Sequence, residues 1–145
     1  MRNDFVKAEV SNDNSNVYFK IYCKENISPY TDKAWMRIFI DTDMSGISPN
    51  WEGFEYLINR ENADAKSVNV EKSTGGWNFG KTGSAEYSVS GNCMTVTVPL
   101  SALGLDSENV HFNFKLSDNM QTDGDIMDFY LNGDVAPGSR FTFVY

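Results

Sequence analysis

The residues whose spacing points most directly to chemistry form a short acidic loop in the first half of the chain. Asp41 and Asp43 precede Gly46, and five residues separate Gly46 from Glu52. Alternate acidic side chains on a tight loop converge on one point, and hard carboxylate oxygens select Ca²⁺. The pattern is close to the calcium loop of an EF-hand, so it predicts a Ca²⁺ site with Asp41, Asp43 and Glu52 as ligands.

The flanks of this loop do not match an EF-hand. An EF-hand needs a helix on each side, whereas a strand-like run leads into Asp41, and Pro49 and Trp51 disfavour a helical exit. Two interpretations remain, a calcium loop on a β scaffold and a solvated acidic turn at the end of a strand. A second acidic stretch, from Asp118 to Asp128, matches no coordination pattern and is most simply a charged surface loop.

Two tryptophans fall in predicted loops beside polar side chains. Trp51 lies between Asn50 and Glu52, and Trp77 precedes Asn78. The apolar C–H face of a sugar ring stacks on an aromatic ring, while amides and carboxylates take its hydroxyls. These five residues therefore form a candidate carbohydrate site. The alternative is that both indoles cover the ends of the hydrophobic core, since tryptophan is mostly buried on average.

The sequence offers little to an enzyme. His111 is the only histidine, and no G-x-S-x-G motif accompanies it, so a serine triad lacks its parts. Zinc sites lack ligands, because Cys23 and Cys93 do not form a C-x-x-C pair. No glycine-rich loop is suited to a phosphate. We expect a non-catalytic domain.

The elements that would position these loops are strands. Apolar residues recur with a period of two in the runs 17–23, 36–40, 54–58, 94–98 and 110–116. Weaker strands are predicted at 4–10, 67–72, 85–89, 126–131 and 140–145, and a short helical turn at 99–104 closed by Gly104. With Gly and Asn turns between them, they predict an all-β, two-sheet antiparallel sandwich that forms one domain over residues 1–145.

The alternation also assigns the two faces of each strand. The predicted core comprises Phe19, Ile21, Ile38, Ile40, Tyr56, Ile58, Val96, Val98, Phe112 and Phe114. The opposite face includes Trp35, Arg37, Phe39 and Lys115, and it is too aromatic to be plain solvent surface. It is either a ligand platform or a face buried beneath a neighbouring domain or a long loop, and we expect most of it to be covered. Cys23 falls on the core side and Cys93 on the outer side, which argues against a disulfide between them.

Charge narrows the choice of partner. The 145 residues include 20 acidic and 12 basic side chains, a net charge of -8. This excess argues against nucleic acid and anionic membrane surfaces, both of which require basic patches. No apolar run approaches the roughly 20 residues that span a bilayer, and no signal peptide is visible after Met1. Neutral ligands and cations remain as the candidate binding partners.

Three segments carry a resemblance to a known family: Trp35 to Asp43, Asn50 to Arg60, and the C-terminal run from Phe114 to Phe141. The chain resembles the β-sandwich domains that end large glycan-related proteins of bacteria. It is more distantly similar to the family 9 carbohydrate-binding modules and the DOMON-like superfamily. The resemblance spans nearly the whole chain.

This resemblance implies a jelly-roll-like accessory domain, secreted or at the cell surface as part of a larger protein such as a glycoside hydrolase. It also implies sugar binding with structural Ca²⁺. The family 9 modules hold a sugar between two tryptophans, which would correspond to Trp51 and Trp77 here. The alternative is a structural domain that packs against a neighbouring domain of the parent protein and binds no sugar.

Overall fold

The computed structural model describes residues 2–44, 50–61 and 64–145. The strands are β1 (Phe5–Asn12), β2 (Asn16–Cys23), β3 (Arg37–Asp41), β4 (Tyr56–Ile58), β5 (Ser67–Gly75), β6 (Asn78–Ser90), β7 (Cys93–Pro99), β8 (Asn113–Asp118), β9 (Asp134–Ala136) and β10 (Phe143–Val144). A 3₁₀ turn spans Leu100–Leu103 and one short helix, α1, spans Ile126–Leu131. Gly104 ends the 3₁₀ turn with φ of 62°, as the sequence predicts.

The strands form an all-β, antiparallel fold, which confirms the predicted class. They pair in the order β1-β2-β7-β6-β5-β4-β3-β8-β10, with β9 also on β8. This path is continuous, so the two predicted layers belong to one nearly closed sheet. Its ends meet through side chains, because the Phe5 amide donates to Asp134 Oδ2 at 2.6 Å and the Tyr145 hydroxyl donates to Asn12 Oδ1 at 2.6 Å.

The main core fills the inside of this curled sheet. All ten predicted core side chains are buried there: Phe19, Ile21, Ile38, Ile40, Tyr56, Ile58, Val96, Val98, Phe112 and Phe114. Cys23 is buried and Cys93 half-buried, and both are free thiols, as the strand pattern predicts. The period of two in the sequence therefore identifies the interior correctly.

Three local predictions are wrong. The stretch from Asp118 to Asp128 is not simply a charged surface loop, because Asp118, Met120 and Asp128 are 0%, 2% and 4% exposed. Residues 126–131 form α1 rather than a strand, because the Asp125 side chain caps the helix by accepting from the amides of Met127 and Asp128. Trp35 was expected on the outer face but lies in the main core. Ala34 and Met36 have left-handed φ values of 53° and 44°, which break the alternation before β3 begins.

A second group of buried apolar side chains lies on the other face of β3 and β4, and we name it the outer cluster. Its members are Ala34, Phe39, Trp51, Phe54, Leu57, Met120 and Phe129. Partly buried Trp77, Phe79 and Tyr130 pack against it. The expectation that the outer face would be covered is confirmed here, where the turn 50–55 and α1 provide the cover. No helix in the described ranges is long and apolar enough to cross a membrane.

Candidate functional site

The two predicted tryptophans meet at the outer cluster. Their ring centroids are 4.8 Å apart with planes at 74°, an edge-to-face contact. Trp51 is 5% exposed and also packs on Phe39 and Phe129, at 5.2 and 4.7 Å between centroids. Trp77 is only partly buried. The pair therefore combines a buried tryptophan, Trp51, with a partly exposed one, Trp77.

Three neighbours fix the position of Trp77. The Arg37 guanidinium carbon lies 5.8 Å from its ring centroid, and Phe79 meets it edge-on at 5.2 Å. Gly124 approaches so closely that a Cβ there would lie 3.0 Å from Trp77 Cγ. A rigid, supported ring loses little conformational entropy when a ligand stacks on it.

The predicted polar partners surround this pair unevenly. Asn50 forms a parallel bridge with Gly76, which brings it to the residue before Trp77. Asn78 is exposed, and its Nδ2 donates to the Gly75 carbonyl at 2.9 Å. Glu52 is half-buried and its Oε2 accepts from the Tyr130 hydroxyl at 3.2 Å. Each of the three keeps hydrogen-bonding capacity for hydroxyl groups.

A separate acidic group lies where β3 ends and β4 begins. Carboxylate oxygens of Asp41, Asp43 and Glu55 all lie within 4.8 Å of one another. Glu55, not the predicted Glu52, completes this group. The register pairs Ile40 with Tyr56, so Asp41 and Glu55 occupy the next opposite positions. Glu52 has a left-handed φ of 50° in the preceding turn and contacts Tyr130 instead.

Within the described ranges, only one oxygen of the Glu55 carboxylate accepts hydrogen bonds. Its Oε1 accepts from the Thr42 amide at 2.9 Å, the Thr42 hydroxyl at 3.1 Å and the Asp43 amide at 2.8 Å. Its Oε2 is buried without a hydrogen-bond partner in the described part of the chain. Burial, and then the negative charge of Glu55, raise the pKa of Asp41 to about 7.

Lys115 forms a third polar feature, beneath α1. Its buried ammonium group donates to the carbonyls of Pro137, Ser139 and Phe141. It also lies 5.7 Å from the ring centroid of Tyr130. Burial lowers the pKa of Lys115 to about 8. The ammonium group thus links the segment 137–141, through these hydrogen bonds, to the side chains of the outer cluster.

Sequence reasoning found the two tryptophans but missed Glu55, Tyr130 and Gly124. The signal for Glu55 was present, because it directly precedes the alternating run of β4 and so lies opposite the end of β3. Tyr130 and Gly124 carried no such signal, since their positions depend on how the segment after β8 folds back over the sheet. Gly46 and Pro49, which entered the loop pattern, lie outside the described residues.

Comparison with known proteins adds no relative: no protein-family model, no curated protein and no solved structure matches the chain.

Proposed function

We propose that the chain is a non-catalytic accessory domain that binds a neutral carbohydrate weakly, with Trp77 as the stacking ring. The supporting observation is the Trp51–Trp77 contact, in which a buried indole supports a partly exposed one at 4.8 Å. A sugar ring needs a firm apolar surface of this kind with polar groups around it. Asn50, Glu52 and Asn78 supply those groups.

Charge and size set the ligand class and the affinity. A net charge of -8 disfavours acidic polysaccharides. One stacked ring with few hydrogen bonds is expected to give a Kd of roughly millimolar to micromolar, or about -4 to -8 kcal/mol. Trp51 contributes as the support of Trp77, because it is 5% exposed and packs against Phe39 and Phe129.

The resemblance given above supports the wider setting of this proposal. If the resemblance holds, the domain is part of a larger bacterial protein, secreted or at the cell surface, and a glycoside hydrolase domain is its neighbour. The domain itself would hold that enzyme near its polymer. This division of labour is consistent with the single histidine and the lack of a recognisable catalytic motif in the sequence.

The test is binding to a panel of neutral and acidic polysaccharides by affinity electrophoresis, using wild type and Trp77→Ala. We expect retardation on at least one neutral polymer, lost in Trp77→Ala while the thermal unfolding of the variant stays cooperative. Tyr30→Ala is the matched control, because Tyr30 is an exposed aromatic outside the outer cluster. Equal retardation of wild type and Trp77→Ala would contradict the proposal.

A second candidate is a structural domain that packs on its parent protein. Exposed apolar side chains favour it, since Val6, Phe141 and Val144 are all more than half exposed. Val6 lines an apolar groove of about 340 Å³ between β1 and the strands β8, β9 and β10. This candidate becomes the better account if no polysaccharide in the panel retards the wild type.

A further inference from the structure

The acidic group contains a buried carboxylate oxygen that accepts no hydrogen bond from any described residue. Glu55 is 6% exposed, yet its Oε2 has no hydrogen-bond donor among the described residues. Burying a carboxylate oxygen without a partner is costly, and placing two further carboxylates beside it adds repulsion. An arrangement of this kind is stable when a cation balances it.

We propose that Asp41, Asp43 and Glu55 bind one Ca²⁺ and that this ion holds the turn 50–55 so that Trp51 stays beneath Trp77. The separation of the carboxylates fits the ion. Ca²⁺–oxygen distances of 2.3–2.6 Å put oxygens on opposite sides of the ion roughly 4.6–5.2 Å apart, and the three ligand atoms here lie within 4.8 Å of one another.

The donor set selects the type of metal. All three ligands are carboxylates, which suit a hard cation, and the group contains no thiolate or imidazole that would favour zinc. Mg²⁺ demands near-octahedral geometry at about 2.0–2.1 Å and dehydrates reluctantly, so proteins seldom hold it in a group made of carboxylates alone. Water would complete the coordination of Ca²⁺, since Asp43 is exposed to solvent.

Glu55 is joined to both strands beside it. Its side chain accepts from the Asp43 amide at 2.8 Å beyond β3, and its carbonyl accepts from the Ser73 amide at 2.7 Å on β5. An ion on the free Oε2 therefore fixes the start of β4 against the end of β3. Without the ion, repulsion between the carboxylates acts to separate these two ends.

The turn that precedes Glu55 connects this site to the tryptophans. The Phe54 amide donates to the Trp51 carbonyl at 2.8 Å, which closes the turn. The Phe54 ring packs 5.6 Å from that of Phe39, the residue on which Trp51 also packs. Displacing Glu55 would therefore move Trp51 and change its contact with Trp77. The Ca²⁺ site does not depend on carbohydrate binding, although it would strengthen such binding where it occurs.

The test uses chelator-treated protein titrated with CaCl₂, read by melting temperature and tryptophan fluorescence. Extracellular calcium modules have Kd values of about 10⁻⁴ to 10⁻³ M, so about 10 mM Ca²⁺ is expected to raise the melting temperature of the wild type by roughly 3–10 °C. We expect Glu55→Gln to lose this rise and the accompanying fluorescence change. Glu52→Gln is the discriminating control and should keep both.

Asp43→Asn is the second ligand variant, chosen because Asp43 is exposed and its substitution spares the interior. It should also lose the rise in melting temperature, and Mg²⁺ should produce a smaller rise than Ca²⁺ in the wild type. A wild type that does not respond to Ca²⁺, or ligand variants that respond as the wild type does, would overturn the proposal. Trp77→Ala should keep the calcium-induced rise, which separates this site from carbohydrate binding.

Discussion

The indole of Trp51 meets that of Trp77 edge to face, with centroids 4.8 Å apart, and the two rings differ in exposure. Trp51 is 5% exposed and Trp77 remains partly accessible. The sequence offered two interpretations of the tryptophans, core cover or ligand platform. The geometry is consistent with one role for each ring, because Trp51 packs in the outer cluster and supports the more exposed Trp77.

This division predicts different costs for removing the two rings. Trp51→Ala leaves a cavity among Phe39, Trp77 and Phe129 and is expected to lower the free energy of unfolding by about 3–5 kcal/mol. Trp77→Ala should cost roughly 1–2 kcal/mol, because less of its surface is buried. Urea unfolding of both variants measures the difference. An equal or larger loss for Trp77→Ala would show that Trp77 is the structural ring.

Gly124 is predicted to be essential for the position of Trp77. Its φ is 77°, and a Cβ would lie 3.0 Å from Trp77 Cγ. Gly124→Ala should lower the free energy of unfolding by about 1–3 kcal/mol, from backbone strain and crowding of the indole. Gly138→Ala is the control, since no heavy atom lies within 4 Å of its added Cβ and its φ is unstrained. Similar thermal denaturation of the two variants would contradict this account.

The ion pair between Arg37 and Asp123 is predicted to contribute more to the free energy of unfolding than the surface pair between Arg60 and Glu61. The Arg37 side chain is 2% exposed and donates to both carboxylate oxygens of Asp123, at 2.6 and 3.2 Å. Asp123→Asn leaves that guanidinium without its counter-charge and should cost about 2–3 kcal/mol, below the range for a fully buried pair because Asp123 is 38% exposed.

Glu61→Gln is the matched change for that pair, because Glu61 contacts Arg60 at 3.1 Å but is 72% exposed. It should cost less than about 0.5 kcal/mol. Chemical denaturation of the two variants in parallel gives the comparison. A larger loss for Glu61→Gln than for Asp123→Asn would reverse the ranking and contradict the assigned burial.

The burial of Lys115 is predicted to make the free energy of unfolding depend on pH, and one variant is enough to isolate this effect. Burial lowers the pKa of Lys115 to about 8 in the folded chain, and the unfolded value is about 10.4. Between these values the unfolded chain binds more protons, so this group makes stability rise with pH over that window. Below pH 8 its contribution is constant and unfavourable, because a charged ammonium group is buried.

Comparing the free energy of unfolding of the wild type with that of Lys115→Met isolates the effect of Lys115, because the contributions of the other titrating groups cancel in the difference. We expect this difference to shift in favour of the wild type by on the order of 1–3 kcal/mol between pH 7 and pH 10. Independently, Lys115→Met should speed amide hydrogen exchange in the segment 137–141, whose carbonyls lose their donor. A pH-independent difference would show that Lys115 titrates normally in the folded protein.

The fold followed from the sequence where a single rule applied along a whole strand. Alternation placed Phe19, Val96 and Phe114 in the interior because each strand has one face against the core. It failed at Trp35, where left-handed residues on both sides of the tryptophan turn it inward. A period of two cannot report such a local reversal, since it assumes extended backbone throughout.

The site was harder to predict because it depends on contacts between distant segments. Linear spacing selected Glu52, whereas the pairing of β3 with β4 brings Glu55 to Asp41. The same limit applies to Tyr130, which reaches Glu52 only because 126–131 forms a helix over the sheet. Residue spacing along the chain can predict a site within one loop, whereas this site combines residues from several segments that are distant in the sequence.

The proposed carbohydrate function is tested most directly by the indole N–H resonances. The chain has 3 tryptophans, and Trp35 is a built-in reference because its Nε1 donates to the Ser28 carbonyl inside the main core. Titration of ¹⁵N-labelled protein with the oligosaccharide of the best-retained neutral polymer should shift the Trp77 resonance most, Trp51 less and Trp35 not at all. An unchanged Trp77 resonance at saturating oligosaccharide, or a larger shift at Trp35, would contradict a sugar site on this face.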